Sequence, residues 1–185
     1  FMGHIFVSIW LIFQAIPSLA GEFQMGEASM EVNGIKLSVF TFHPNNCSAR
    51  GLVFTFHGQK RNADKYRDHA QQFAERFCLI VYAPKFDLDR FKSWRYQRGG
   101  IVHKGKVQPQ SKWTTSLIQP LIDWARRREG MAHKPYFLYG HSAGGQFLSR
   151  IAAYTPIKDA QRFVIANPSS HVWPSLNEDA PYGMG

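Results

Sequence analysis

Pro135-Tyr136-Phe137-Leu138-Tyr139-Gly140-His141-Ser142-Ala143-Gly144-Gly145-Gln146-Phe147-Leu148 decides the fold of this chain. The first five residues are a short apolar run and read as a buried strand. Gly145 to Tyr154 reads as a helix. Between them stands a Gly-x-Ser-x-Gly pentapeptide. A chain that passes from strand to helix so abruptly needs flanking positions nearly free of side chains. Glycine meets that need, because it has no Cβ to clash and reaches strained backbone angles. The turn leaves the Ser142 hydroxyl exposed, and the helix N-terminus beneath it favours developing negative charge. Ser142 is the candidate nucleophile. The plainer alternative is a serine capping a glycine-rich helix start. The strand before, the helix after and the extra Gly145 favour the exposed turn.

The rest of the chain supplies a sheet for this turn to sit on. Ala28–Val32, the turn Asn33-Gly34 and Ile35–Phe42 predict a β-hairpin, with Ile35, Leu37 and Val39 alternating inward. Leu52–Phe56 is a denser apolar run, suited to a strand covered on both faces. Asn62–Phe77 predicts one helix with Tyr66, Ala70, Phe73, Ala74 and Phe77 on its buried face. Leu79–Ala83 is the next strand, stopped by Pro84, and an irregular segment runs to about Trp113. Leu117–Ala125 gives a helical stripe in which Pro120 marks a kink or the true start. Arg162–Asn167 is a further strand. Strands alternating with helices imply an α/β fold with a mostly parallel central sheet and helices on both faces. Chemistry in such sheets collects at the carboxyl ends of the strands. His57, Pro84, Ser142 and Asn167 fall there.

His57-Gly58-Gln59 ends the first central strand, where a loop can face Ser142. Acyl transfer builds negative charge on a carbonyl oxygen, and two backbone N–H groups aimed at that oxygen stabilise it. Ala143 should give one and Gln59 the other, with His57 and Gly58 holding the loop rather than His57 acting as general base. A histidine merely capping a strand is the weaker alternative beside the paired turn. Together, His57-Gly58-Gln59 and Gly140-His141-Ser142-Ala143-Gly144-Gly145 resemble the α/β-hydrolase superfamily. Within it they look like bacterial exported hydrolases related to polyhydroxybutyrate depolymerases and feruloyl-type esterases. Ala166-Asn167, Trp173-Pro174 and Pro181-Tyr182-Gly183 are similar to the stretch after strand six in that group. The resemblance covers most of residues 28–185.

The resemblance implies a serine hydrolase acting on a small or polymeric ester, with no cofactor and no metal. It also implies an order of Ser, then Asp or Glu, then His. Asp159 precedes the sixth strand, and Asp179 follows His171 rather than preceding it. An improvised Asp179–His171 pair is the less favoured expectation. The favoured one is a C-terminally truncated fragment, nearly inert alone, whose acid, base and last strands lie in missing sequence. The rivals are a peptidase or amidase on the same fold, and a truncated hydrolase-like binding protein without catalysis.

The chain has 185 residues, 44% hydrophobic and 15% aromatic, which suits one domain with a real core and excludes wholesale disorder. Ile5–Phe13 is uncharged and apolar, and Pro17-Ser18-Leu19-Ala20 offers a cleavage site. Residues 1–20 read as a signal peptide, which leaves residues 21–185 as a partial hydrolase domain, exported to the periplasm or beyond. The run falls short of the roughly 18–20 apolar residues of a membrane span, so stable insertion is not expected. Two cysteines make no disulfide framework. The balance falls against a bond, with Cys78 a buried thiol and Cys47 in a loop. No spacing suits zinc.

The formal charge is +9. Much of it lies in Lys85, Arg90, Lys92, Arg95, Arg98, Lys104, Lys106 and Lys112, read first as solvated loop charge. Phe91–Gly100 follows a central strand, so Trp94 and Tyr96 are expected at the rim of the site, able to hold an aromatic or anionic acyl group. A structured loop with a buried tryptophan is the equal alternative. Trp173 is a third rim candidate, with core or lid as its plainer role. Basic and aromatic residues together also mark single-stranded nucleic-acid binding, but no such motif accompanies them and no nucleic-acid partner is expected. Oligomeric state is left open. The strand at Phe163–Asn167 is expected to present an unpaired sheet edge.

Overall fold

The computed structural model describes residues 24–185, so the leader reading of residues 1–20 lies outside the described residues. Strands β1 (Met25–Val32) and β2 (Ile35–Phe42) form the expected hairpin. Its turn residues Asn33 and Gly34 both have positive φ (50° and 73°), which matches the right-handed twist of the paired strands. Strands β3 (Gly51–Phe56) and β4 (Leu79–Pro84) are buried at every position, as their unbroken apolar runs predict. Strand β7 (Tyr136–His141) leads into Ser142, and helix α4 (Ala143–Tyr154) follows at once. The last strand, β8, spans Ala160–Ala166.

The main sheet has the order β1-β2-β4-β3-β7-β8. Strands β4, β3, β7 and β8 run parallel, whereas β1 and β2 are antiparallel additions on one side. Helix α3 (Ile118–Arg128) and α4 pack on one face, where Leu121, Ile122, Phe147 and Leu148 meet Phe54, Phe56, Tyr82 and Leu138. The opposite face carries helix α2 (Gln71–Phe77), whose Ala74 packs with Val53, Leu79 and Val81. β8 lies at the sheet edge with Val164 and Ile165 exposed. No helix among the described residues is long and apolar enough to cross a membrane.

Three expectations need correction. The segment 62–77 is two helices, α1 (Ala63–His69) and α2, parted where the Ala70 N–H tightens onto the Arg67 carbonyl. The predicted stripe is rotated with it. Ala74 is buried, but Phe73 and Phe77 pack against each other at the surface, their rings tilted and 4.7 Å apart between centroids. The segment taken as irregular contains a small hairpin, β5 (Val102–His103) and β6 (Lys106–Val107), turned at Lys104-Gly105. Pro120 sits in the first turn of α3, where a missing N–H costs nothing.

The third correction concerns the cysteines. Cys47 and Cys78 are joined in a disulfide. The Arg50 N–H donates to the Cys78 carbonyl at 2.7 Å, so the chain entering β3 is held against the turn entering β4. That adjacency comes from parallel strand pairing between distant residues, which spacing alone does not reveal. The bond closes a loop of sequence separation 31. Chain-entropy arithmetic for such a loop gives about 3–4 kcal/mol. Replacing both cysteines with serine is therefore expected to lower the urea midpoint, with stability reduced by roughly that amount.

Candidate active site

The sterics of the turn at Ser142 come first. A Cβ on Gly140 would overlap the Gly144 carbonyl, and one on Gly144 would overlap the Phe56 carbonyl at the end of β3. One on Gly145 would stand 2.7 Å from the Ala166 carbonyl oxygen. The three glycines let α4 start against the ends of β3, β7 and β8. Ser142 itself has φ 55° and ψ −115°, a conformation that costs a non-glycine residue about 1–3 kcal/mol. Its backbone is held there by an N–H bond to the Ala166 carbonyl at 3.0 Å. Its side chain is partly exposed, and the hydroxyl has no hydrogen-bond partner among the described residues.

The loop after β3 lies against this serine. A Cβ on Gly58 would stand 3.9 Å from Ser142 Cβ and 2.8 Å from the Tyr66 hydroxyl oxygen. The turn is closed by the Arg61 N–H donating to the Gly58 carbonyl at 3.2 Å, which leaves Gln59 exposed at its tip. Neither the Ala143 N–H nor the Gln59 N–H has a protein acceptor among the described residues. Ala143 follows Ser142 directly in the chain, and Gln59 follows Gly58, the residue that lies against Ser142. Tyr66 also links α1 to the turn, its hydroxyl hydrogen-bonded with His141 Nδ1 at 3.2 Å.

His57 is fully buried, and its partners fix its tautomer. Nε2 accepts the Phe86 N–H at 3.0 Å, so the ring proton sits on Nδ1 and is donated to the Gly58 carbonyl at 2.9 Å. Burial, with the positive charge of Arg61 acting in the same direction, lowers the His57 pKa to about 4. Between that value and the ordinary 6.5 the unfolded chain binds a proton that the folded chain refuses. The contribution of His57 is thus complete above pH 6.5 and is lost as pH falls toward 4. The shift corresponds to about 3 kcal/mol. Urea midpoints measured across this range should fall with pH in the native protein, and the slope should flatten in His57→Gln.

Tyr96 is not at the rim. It is fully buried beneath the loop, its ring 4.7 Å from that of His57 and 5.0 Å from that of Phe86. Its hydroxyl donates to the His57 carbonyl at 2.8 Å. The long segment after β4 folds back under the site and spends this aromatic on supporting it. Arg61, also buried, covers the other side: its guanidinium lies 4.5 Å above the Tyr96 ring and donates to the Phe91 carbonyl at 2.9 Å. No local sequence pattern marks Arg61, Tyr66 or Phe86 as partners of this loop.

Trp94 is part-buried and stacked on His103 at 4.0 Å, in a groove of its own. Trp173 is 59% exposed and shares a cavity of about 340 Å³ with Ser169, Ser170, His171 and Tyr182. The chain after β8 is clamped onto α4. Gln146 donates to Ser169, Arg150 donates to the Ser170 carbonyl at 2.9 Å, and the Val172 N–H donates to Ser149. His171 packs on Trp173 at a tilt, 5.1 Å between ring centroids, and among the described residues no ion pair joins it to Asp179. No group of three or more His, Cys, Asp or Glu side chains among the described residues is placed to hold a metal ion.

No family model and no curated protein sequence matches the chain. Solved structures do. Poly(aspartic acid) hydrolase-1 from Sphingomonas sp. KT-1 is 33% identical with a TM-score of 0.80, over 87% of this chain and 62% of that one. A poly(3-hydroxybutyrate) depolymerase from Bordetella parapertussis is 26% identical with a TM-score of 0.79, over 86% of this chain and 57% of that one. Esterase 2 from Thermogutta terrifontis, solved after phosphorylation by paraoxon, shares the fold at 14% identity and a TM-score of 0.54, over 80% and 58%. The chain thus spans about three-fifths of the length of these proteins.

Proposed function

Since the chain belongs to the α/β-hydrolase superfamily, we propose that its protein is a serine hydrolase acting on carboxylic esters, with Ser142 as nucleophile. The observation that carries the proposal is the partly exposed, strained serine at the strand-to-helix turn, next to the Gly58 loop, with the Ala143 and Gln59 N–H groups free of protein acceptors among the described residues. In the proposed reaction Ser142 Oγ bonds to the carbonyl carbon and its proton leaves to a general base. The oxyanion is held by the Ala143 and Gln59 N–H groups until the alcohol departs. Water then attacks the acyl-serine and releases the acid. A serine hydroxyl needs a base to act at neutral pH. His57 is unsuited to that role, because both its ring nitrogens are already engaged. The base and its carboxylate are assigned to sequence outside residues 24–185, in keeping with the greater length of the similar structures.

A fluorophosphonate probe tests the proposal. Serine labelling in a chain extended beyond residue 185, mapped to Ser142 by mass spectrometry, is the expected result. An extended, folded chain that stays unlabelled would refute it. The disulfide between Cys47 and Cys78 supports export, since such bonds persist in oxidising compartments.

A second reading is amide hydrolysis on an anionic polymer. It is favoured by the +9 charge and by the likeness to a protein named poly(aspartic acid) hydrolase. Parallel assays on p-nitrophenyl esters, peptide anilides and poly(aspartic acid) separate the two.

A further inference from the structure

We propose that the groove around Trp94 and Trp113 is a binding subsite for the carboxylate-bearing stretch of an anionic polymer substrate, lying on the same end of the sheet as Ser142. The assignment of the occupant rests on the anionic-polymer reading above. The groove itself rests on its own geometry.

Trp94, Arg95, Lys112 and Trp113 line an open groove of about 280 Å³ together with Asn33 and Ile35 of the first hairpin. Its aromatic surfaces are fixed. Trp94 is stacked on His103 nearly face to face, with 13° between the rings. The Trp113 indole N–H is committed to the Gln108 carbonyl at 2.7 Å. Its cations are not neutralised. Of the eight basic side chains between Lys85 and Lys112, Arg90 alone has an ion-pair partner, Asp87, among the described residues. Arg95 has a buried Nε without a partner, although its guanidinium rests on the rings of Phe91 and Trp94. Rigid apolar walls with a guanidinium and an ammonium that have no carboxylate partner among the described residues suit a flexible chain that carries a carboxylate on each unit, the carboxylates meeting the cations.

Topology places the groove within reach of the serine. Strand β2 is antiparallel to β4, with Val39 opposite Pro84. Ile35 and Asn33, which precede Val39, therefore lie beyond the carboxyl end of β4, the end at which β3 and β7 deliver Gly58 and Ser142. From β7 to β2 is three strand steps in the sheet order. At about 4.8 Å per step the sideways separation of the two strands is roughly 14 Å. An extended chain covers this in about four units. A dimer cannot bridge the two places, whereas a decamer can.

The test measures binding to the Ser142→Ala protein, so that neither turnover nor the identity of the general base enters. The ligands are di-aspartate and deca-aspartate at low salt. Deca-aspartate is expected to bind more tightly than di-aspartate, and added salt should weaken it. The double variant Arg95→Gln, Lys112→Gln should lose roughly tenfold in affinity for the decamer and little for the dimer. Deca-aspartate should also protect Lys112 from acetylation in the unaltered protein, a measurement that needs no variant. Equal affinity of the double variant and its parent for the decamer would overturn the subsite. So would Lys112 acetylation that is indifferent to the decamer. Absent fluorophosphonate labelling would instead overturn the hydrolase reading and leave these binding results standing.

Discussion

Replacing Ser142 with alanine is expected to abolish fluorophosphonate labelling and to lower ester turnover in the active, extended protein by about 10⁴–10⁶-fold. The loss falls on kcat, because the proposed oxyanion donors are backbone groups of Ala143 and Gln59 that the substitution leaves in place. Alanine keeps the Cβ, so the strain at φ 55° remains and the melting temperature should not move. Glycine at the same position should behave differently. It relieves the left-handed conformation and is expected to add about 1 kcal/mol of stability while removing the same activity. Thermal melts of the three proteins alongside their turnover rates make the comparison. A Ser142→Ala protein that turns over ester at near the native rate would remove the serine from the chemistry.

Gly144→Val is expected to cost at least about 4 kcal/mol and to leave little folded protein. A Cβ at this position overlaps the Phe56 carbonyl oxygen and comes within 2.9 Å of the His57 carbonyl oxygen. Neither is a flexible side-chain end that can swing away. Both belong to the end of β3, whose residues are all buried. The clash therefore pushes α4 off the sheet or displaces the loop that carries Gln59. Even Gly144→Ala should lose several kcal/mol, because the overlap is with its Cβ. Urea unfolding of the alanine variant, together with far-UV circular dichroism of the valine variant, measures the effect. Near-native stability in the alanine variant would mean that the strand end yields more easily than its burial implies.

What the sequence made legible were features written over short distances. The Asn33-Gly34 turn, the fully buried runs of β3 and β4, and the turn around Ser142 each depend on residues a few positions apart. Features that depend on distant pairing were not legible. Cys47 meets Cys78 because β3 and β4 lie side by side, and nothing in either cysteine's neighbourhood encodes that. Tyr96 looked like a surface aromatic among arginines, yet the long segment after β4 returns beneath the His57 loop and buries it. Arg61 would pass for a solvated charge in any local reading. Only the fold places it over the Tyr96 ring, with no carboxylate paired to it among the described residues. The split at Ala70 carries no glycine or proline to announce it.

The glycines around Ser142 have a consequence for how mutations at the turn would be filtered. Of the residues that make the pentapeptide recognisable, the serine alone is one that the proposed function needs for reactivity. Gly140, Gly144 and the neighbouring Gly145 are imposed by the carbonyls of Gly144, Phe56 and Ala166. In a randomised library sorted only for soluble expression, those three positions would stay glycine while position 142 drifted. A descendant that had given up catalysis would still carry the glycine frame, so the frame records the shape of the scaffold and the serine records its use.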